Sequence, residues 1–185
     1  MKRLTIASIQ PPEFVAAESI ESHEKTISIG FELLGEAMSR KASLCILPEY
    51  FNVYNAPPKQ WVQLSDNADV LIQKVSKLAG ESGSAVVLPL LVNVDGVFRN
   101  RALAIDGDGS VVGHYDKIHP TIAEKEQLGV VPGDEVKTFE MSFGRLAIAI
   151  CYDVYFPRYF SELQNLQADV IAMPSLQRSE SEIAS

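Results

Sequence analysis

The sequence predicts an α/β fold in which helices pack in layers on sheets of mixed strand orientation. Two long amphipathic segments alternate with short apolar runs of strand length, a pattern typical of layered α/β domains. The 185 residues are about the length of one domain, and 46% apolar with 22% charged residues is ordinary for a globular protein. We therefore expect a single domain over residues 1–185.

The first half of the chain alternates strands with helices. Residues 4–9 are a β-prone run that ends before Pro11, whose ring cannot donate to a sheet ladder. Apolar residues at spacings of three, four or seven predict a helix over residues 13–41. The continuous apolar run 43–48 is typical of a strand buried on both faces. A second amphipathic helix is predicted over residues 61–78, before a glycine-containing breaker.

Strands dominate the second half of the chain. The turn at residues 106–109 predicts that the strands on either side of it form a hairpin. A short connection joins another strand pair, and a brief helix over residues 157–167 leads into a last buried strand. The predicted strands are residues 85–94, 100–105, 111–115, 136–141, 145–151 and 168–174.

Charge and composition exclude several functions. Sixteen basic and twenty-four acidic residues give a net charge of −8, the wrong sign for a protein that binds nucleic-acid phosphates. No apolar run reaches the roughly 18 residues that a membrane span needs, and the N-terminus lacks a signal-peptide pattern. Two cysteines are too few for a disulfide framework. We expect a cytoplasmic protein with neither nucleic-acid nor membrane partners.

Three residues with complementary chemistry follow apolar strand runs. Glu49 and Lys117 come shortly after two of these runs, and Cys151 closes a third. The carboxyl ends of strands are where active sites collect in α/β sheets. A thiolate can attack a substrate, a carboxylate can carry the proton, and an ammonium can stabilise an oxyanion.

Each of the three also has an ordinary structural explanation. A cysteine at a strand end is usually a small buried hydrophobe, as expected for Cys45 in the middle of its strand. A glutamate there is often a loop residue or a helix cap, and Lys117 beside Asp116 is compatible with a surface pair. Spacing alone leaves these explanations open.

The local sequences around the three residues favour the catalytic interpretation. The segments Leu-Pro-Glu-Tyr (47–50), Tyr-Asp-Lys-Ile-His-Pro (115–120) and Ile-Cys-Tyr-Asp-Val-Tyr-Phe-Pro-Arg (150–158) resemble three signature segments of the nitrilase, or carbon–nitrogen hydrolase, superfamily. They occur in the order and at separations similar to those of the family. The resemblance implies a four-layer αββα sandwich of the nitrilase type and a hydrolase that needs no metal or organic cofactor.

The resemblance also implies a catalytic triad. By position, Glu49 is the general base, Lys117 supports the tetrahedral intermediate and Cys151 is the nucleophile. The backbone N–H of Tyr152 is the second oxyanion donor.

Many family members have a further glutamate shortly after the lysine. Glu124 and Glu126 both qualify for this supporting role, and Glu124 is preferred because Thr-Ile-Ala-Glu (121–124) is more similar to the family segment. A zinc site is not indicated, because the three histidines lack ligand spacing and the sequence has no Cys-x-x-Cys motif. The histidines are His23, His114 and His119.

The dipeptide after the nucleophile bears on the substrate. Tyr152-Asp153 resembles amidases and carbamoyl hydrolases, whereas nitrile-hydrolysing members commonly have Trp-Glu, so a small-molecule amide or carbamoyl compound is expected. The expected reaction passes through a cysteine thioester and releases ammonia or an amine. Acyl transfer from that thioester to an amine, or a catalytically silent interaction module, are the alternatives.

Two further expectations come from the resemblance. Family domains are typically longer by several strands and a helix, so the domain is expected to be incomplete at its C-terminal end, where residues 175–185 are polar. Family members assemble through helices near the site, and a homodimer or a larger homo-oligomer is therefore expected.

Overall fold

Two sheets form the centre of the fold. The computed structural model describes residues 3–12, 19–66 and 68–176. The strands assigned in these ranges are β1 (Ile6–Ser8), β2 (Leu44–Ile46), β3 (Ala85–Val94), β4 (Val97–Ile105), β5 (Val111–Asp116), β6 (Thr138–Met141), β7 (Gly144–Ile148) and β8 (Val170–Ala172). One sheet has the order β1-β2-β3-β4-β5 and the other β6-β7-β8.

Both sheets are mixed, as predicted. Strands β1, β2 and β3 are parallel, whereas β3, β4 and β5 are antiparallel and connected by hairpins. In the second sheet, β6 and β7 are antiparallel and β8 is parallel to β7. The predicted hairpin at residues 106–109 is present, and Gly109 has φ of +86° at a point where a Cβ would lie 2.5 Å from the Ser76 carbonyl oxygen.

The β3–β4 hairpin corrects one predicted boundary. Strand β4 begins at Val97, three residues before the predicted start, because Asp95 and Gly96 form a two-residue turn with φ of +52° and +84°. Positive φ at both positions is typical of the tight turns that join twisted strands.

Five helices are assigned in the described ranges: α1 (Ile20–Ser39), α2 (Trp61–Asp66), α3 (Ala68–Ser82), α4 (Ile122–Leu128) and α5 (Pro157–Asn165). The Ser19 hydroxyl accepts from the backbone N–H of Ser22 and caps α1. The predicted start of this helix falls at residues 13–18, which lie outside the described residues, as do residues 177–185. The predicted helix over residues 61–78 corresponds to α2 and α3, and α3 continues through Gly80.

Helix α4 was not predicted from the apolar pattern. It is seven residues long, and a reciprocal pair of hydrogen bonds between Thr121 and Glu124 starts it. The Thr-x-x-Glu spacing was the signal that could have indicated it.

The layers are held together by two apolar clusters. Helices α1 and α3 cover one face of the five-stranded sheet, where Leu34, Val75 and Leu88 are fully buried. The opposite face packs against the three-stranded sheet and α5, with Val87 and Leu163 in the shared cluster. Full burial of one such side chain stabilises the folded state by about 1.5–3 kcal/mol. The result is the expected four-layer order of helix, sheet, sheet and helix. In the described ranges, no helix is both long enough and apolar enough to cross a membrane.

Candidate active site

The three predicted site residues lie just beyond the carboxyl ends of three strands. Glu49 follows β2, Lys117 directly follows β5, and Cys151 follows β7. Strands β2 and β5 belong to the five-stranded sheet, and β7 belongs to the other. The site therefore lies where the two sheets meet.

Lys117 is buried between two carboxylates. Its Nζ donates to Glu49 Oε1 at 2.8 Å and to the two carboxylate oxygens of Glu124 at 3.1 and 2.9 Å. Lys117, Glu49 and Glu124 are 2%, 3% and 7% exposed, so little water competes for these contacts. Glu126, the alternative to Glu124, is exposed to solvent.

Two neutral side chains hold the carboxylates together. Asn100 Nδ2 donates to Glu49 Oε1 at 2.8 Å and to Glu124 Oε1 at 2.9 Å. The Tyr50 hydroxyl donates to Glu124 Oε1 at 2.6 Å. Hydrogen bonds to ionised acceptors are the stronger class, so these donors offset part of the repulsion between two buried negative charges.

The environment shifts the pKa values of the charged residues in different directions. Burial raises the pKa of Glu49, and the nearby Glu124 charge adds to this against the lowering effect of Lys117. Burial acts on Glu124 as well, but the Lys117 charge and the donors around its carboxylate lower its pKa overall. Burial disfavours the Lys117 ammonium, yet the two carboxylates outweigh it and raise its pKa. Lys117 thus stays charged, and Glu49 becomes a better proton acceptor than an exposed carboxylate.

Cys151 lies in a backbone turn with an unusual conformation. Its φ is +42°, in the left-handed region that non-glycine residues rarely adopt, and it opens a 3₁₀ turn over Cys151–Tyr155. Its N–H donates to the Pro174 carbonyl oxygen at 3.0 Å, which ties the turn to the residues after β8. Such strained turns after a strand are a known way to present a nucleophile. Cys45, by contrast, is fully buried within β2, as predicted.

The thiol of Cys151 is protonated at neutral pH. Burial and the Glu49 charge raise the pKa of Cys151 to about 11, against lowering effects from Lys117 and the Leu176 N–H. A thiol with this pKa becomes an effective nucleophile at neutral pH only when a base removes its proton. Glu49 is the available carboxylate, and its second oxygen, Oε2, accepts the Leu176 N–H at 3.0 Å.

Sequence reasoning missed several residues of the site. Tyr50 lies in a segment that resembles the family and Asn100 in a predicted strand, but no pattern assigned them to Glu124 and Glu49. Asp153 was used only as an indicator of substrate class, although it is fully buried. The residue types gave little signal, because asparagine and tyrosine are common in structural roles.

The described residues hold no group of three histidine, cysteine or acidic side chains suited to a metal ion. His23 Nδ1 lies 2.8 Å from the Tyr54 carbonyl oxygen, and His119 Nδ1 lies 2.8 Å from Asp153 Oδ1. These two rings have structural partners.

The chain resembles amidases of known sequence. A deaminated glutathione amidase from Dictyostelium discoideum is 27% identical over 163 residues, which are 78% of this chain and 56% of the relative. An N-carbamoylputrescine amidase from Arabidopsis thaliana is 25% identical over 189 residues, covering 97% of this chain and 60% of the relative. The chain thus spans less than two thirds of the length of these curated relatives.

The fold is also found among solved structures. The crystal structure of a carbon–nitrogen hydrolase from Helicobacter pylori G27 superposes with a TM-score of 0.79 at 22% identity, covering 97% of this chain and 63% of that one. The family model described as carbon–nitrogen hydrolase matches residues 5–183. Since that match includes nearly every residue, the chain belongs to the carbon–nitrogen hydrolase family, within the nitrilase superfamily.

Proposed function

We propose that the protein hydrolyses a non-peptide carbon–nitrogen bond of a small amide or carbamoyl compound, through a thioester on Cys151. The observation that carries this proposal is the buried Glu49–Lys117–Glu124 cluster beside a protonated cysteine thiol. This arrangement combines a nucleophile, a proton acceptor and a fixed positive charge, which are the groups that acyl transfer requires.

The first step forms the thioester. Glu49 takes the thiol proton while Sγ of Cys151 bonds to the carbonyl carbon, and the carbonyl π electrons move to the oxygen. The Lys117 ammonium and the Tyr152 N–H stabilise that oxyanion. Glu49 then returns the proton to the nitrogen as the carbon–nitrogen bond breaks, so that ammonia or an amine leaves.

The second step releases the acid. Glu49 takes a proton from water as the water oxygen bonds to the thioester carbon, and Lys117 again faces the oxyanion. The carbon–sulfur bond then breaks, the sulfur regains its proton from Glu49, and a carboxylic acid departs. The raised pKa of Glu49 suits both transfers, since a proton carrier works best when its pKa is near the working pH.

Glu124 supports the reaction without exchanging protons. Its lowered pKa keeps it ionised, and its two contacts hold the ammonium of Lys117 in place. Asn100 joins the two carboxylates from the other side. We assign Glu124 the supporting role on these contacts.

Two features favour an amide or carbamoyl substrate. The relatives similar in sequence include amidases whose names specify deaminated glutathione and N-carbamoylputrescine. The Tyr152-Asp153 dipeptide also follows the amidase pattern rather than the nitrile-hydrolysing one. We therefore place amides and carbamoyl compounds ahead of nitriles.

The test is ammonia release from a panel of small primary amides and carbamoyl compounds. We expect turnover by the wild type, no turnover by Cys151→Ala, and full turnover by the matched control Cys45→Ala. Activity that survives in Cys151→Ala contradicts the proposal. Hydroxylamine added to the assay separates the alternatives: mainly hydroxamate as product indicates acyl transfer, and a wild type without turnover indicates a silent module.

Three other expectations stay predictions. These are one domain over residues 1–185, assembly with copies of itself, and a cytoplasmic location.

A further inference from the structure

Asp153 is a fully buried carboxylate surrounded by hydrogen-bond donors. Its Oδ1 accepts the backbone N–H of His119 at 3.1 Å and lies 2.8 Å from His119 Nδ1. Its Oδ2 accepts the Tyr115 hydroxyl at 2.8 Å and the backbone N–H of Ile150 at 2.9 Å. Asp153 is 0% exposed, so this set of donors takes the place of water around its charge.

The hydrogen-bond partners of Asp153 are close in sequence to two proposed catalytic residues, Lys117 and Cys151. Tyr115 and His119 are each two residues from Lys117, and Ile150 directly precedes Cys151. Asp153 itself lies in the 3₁₀ turn that Cys151 opens. The Asp153 carboxylate therefore connects the backbone around Lys117 to the backbone around Cys151. These two residues follow strands of different sheets, β5 and β7.

The segment around Asp153 is also fixed by ring contacts. The His119 ring stacks on Phe156 with a centroid distance of 3.6 Å and an angle of 7° between the ring planes. Phe156 ends the 3₁₀ turn, so the stack restrains the same two segments from a second direction. These contacts leave little freedom for the turn to move relative to the end of β5.

We propose that Asp153 is a positioning residue that sets the placement of the Cys151 thiol relative to Lys117 and Glu49. It contacts no reacting atom, and it acts by joining the two backbone segments through Tyr115, His119 and Ile150. The positive φ of Cys151 costs free energy, and the hydrogen bond from the Ile150 N–H helps to hold the turn in that conformation. This inference rests on the proposed function, because the proposed function gives Cys151, Lys117 and Glu49 their roles.

The substitution Asp153→Asn tests the charge and the acceptor pattern without changing the size of the side chain. An amide has one acceptor oxygen in place of two, so its NH₂ group must face either the Ile150 N–H or the His119 N–H. Whichever way the amide turns, one backbone donor loses its acceptor. The two segments then lose part of the connection that fixes their separation.

The matched control is Asp106→Asn. Asp106 also accepts three hydrogen bonds, from the Gly107 N–H and from the N–H and hydroxyl of Ser142. It lies at the opposite end of the β4–β5 hairpin from Lys117. Asp106 is only half-buried, so an effect of losing a hydrogen-bonded carboxylate should appear in both variants, and the unfolding midpoint reports the additional effect of burial at Asp153.

Four quantities are measured in both variants: kcat and KM on an amide that the wild type hydrolyses, the rate of acrylamide addition to Cys151, and the thermal unfolding midpoint. In acrylamide addition, Sγ bonds to the β-carbon and the thiol proton ends on the α-carbon. For Asp153→Asn we expect kcat to fall about 10- to 100-fold, because a misplacement of about 1 Å has effects of this size. KM should stay within about twofold, and acrylamide addition should slow as well.

A folded Asp153→Asn protein with kcat and acrylamide rates equal to those of Asp106→Asn overturns the proposal. If Asp153→Asn does not fold, Tyr115→Phe keeps the carboxylate and removes one of its donors, together with the acceptor of the Ile118 N–H. A kcat unchanged from wild type in that variant overturns the proposal instead. A wild type that releases no ammonia contradicts the proposed function alone. Acrylamide addition still tests the positioning role in that case, because it needs only the thiol and a proton acceptor.

Discussion

Replacing Lys117 with methionine is the most direct test of how the buried charges are balanced. Methionine keeps an unbranched side chain of similar length but removes the ammonium that donates to Glu49 and Glu124. Both carboxylates are at least nine-tenths buried and cannot turn to water. Removing one member of a buried ion pair costs about 3–5 kcal/mol, and we expect Lys117→Met to lower the free energy of unfolding by this amount at neutral pH.

The decrease in the free energy of unfolding caused by Lys117→Met should depend on pH. Without the ammonium, the two carboxylates face each other, and their folded-state pKa values rise above the unfolded value of about 4.3. A carboxylate with a raised pKa contributes its stability at low pH and loses it as pH rises through the folded-state value. In the wild type, the lowered pKa of Glu124 means that its contribution is lost only in acid. The deficit of the variant should therefore be larger near pH 8 than near pH 5.

The measurement is urea unfolding of wild type and Lys117→Met near pH 5 and near pH 8. The control is Lys77→Met, because Lys77 is 77% exposed and lies 3.8 Å from Glu81 on the surface of α3. Surface pairs contribute about 0–1 kcal/mol, so this control should change little at either pH. A Lys117→Met deficit no larger than the control, or one independent of pH, would refute the charge balance described above.

Two further predictions concern the pH response of the site. The rate at which iodoacetamide alkylates Cys151 should increase with pH up to about 11, while Cys45 stays unlabelled. Peptide mapping distinguishes the two cysteines. A rate profile with its midpoint near the ordinary thiol pKa of about 8.5 would contradict this prediction. Tyr50→Phe removes a hydrogen bond that lowers the pKa of Glu124, and should lower the free energy of unfolding by about 1.5–3 kcal/mol at neutral pH. That stabilisation is present above about pH 4.3 and is lost in acid, so the difference in free energy of unfolding between the variant and the wild type should shrink as pH falls. A difference that stays constant with pH in urea unfolding would count against this prediction.

The sequence predicted the elements whose signal is local. Strand β3 is a long, mostly apolar run and β7 a short one. The segments around Glu49, Lys117 and Cys151 combine strand-like runs with family-like motifs. Two local signals were missed, namely the Asp95-Gly96 turn that sets the start of β4 and the Thr-x-x-Glu spacing that starts α4. Gly80 continues α3 because the helix packs closely there, and a Cβ on it would lie 3.0 Å from the Asp108 carbonyl oxygen.

The supporting residues of the site could not be predicted, because their partners are distant in sequence. Tyr50 and Glu124 are 74 residues apart, and Asn100 and Glu49 are 51 apart. The Tyr115 hydroxyl and the backbone N–H groups of His119 and Ile150, which donate to Asp153, are brought together only when the two sheets pack. No periodicity in the sequence reports such contacts.

The hydrogen bond from the Leu176 N–H to Glu49 spans 127 residues of the chain and has a consequence for synthesis. At 5–20 residues per second, a ribosome takes about 6–25 s to make the segment between the two residues. During this time Glu49 is in the nascent polypeptide without the Leu176 N–H, although the first helices and strands have already been synthesised. The hydrogen-bond set of Glu49 is therefore completed only after residue 176 has been synthesised.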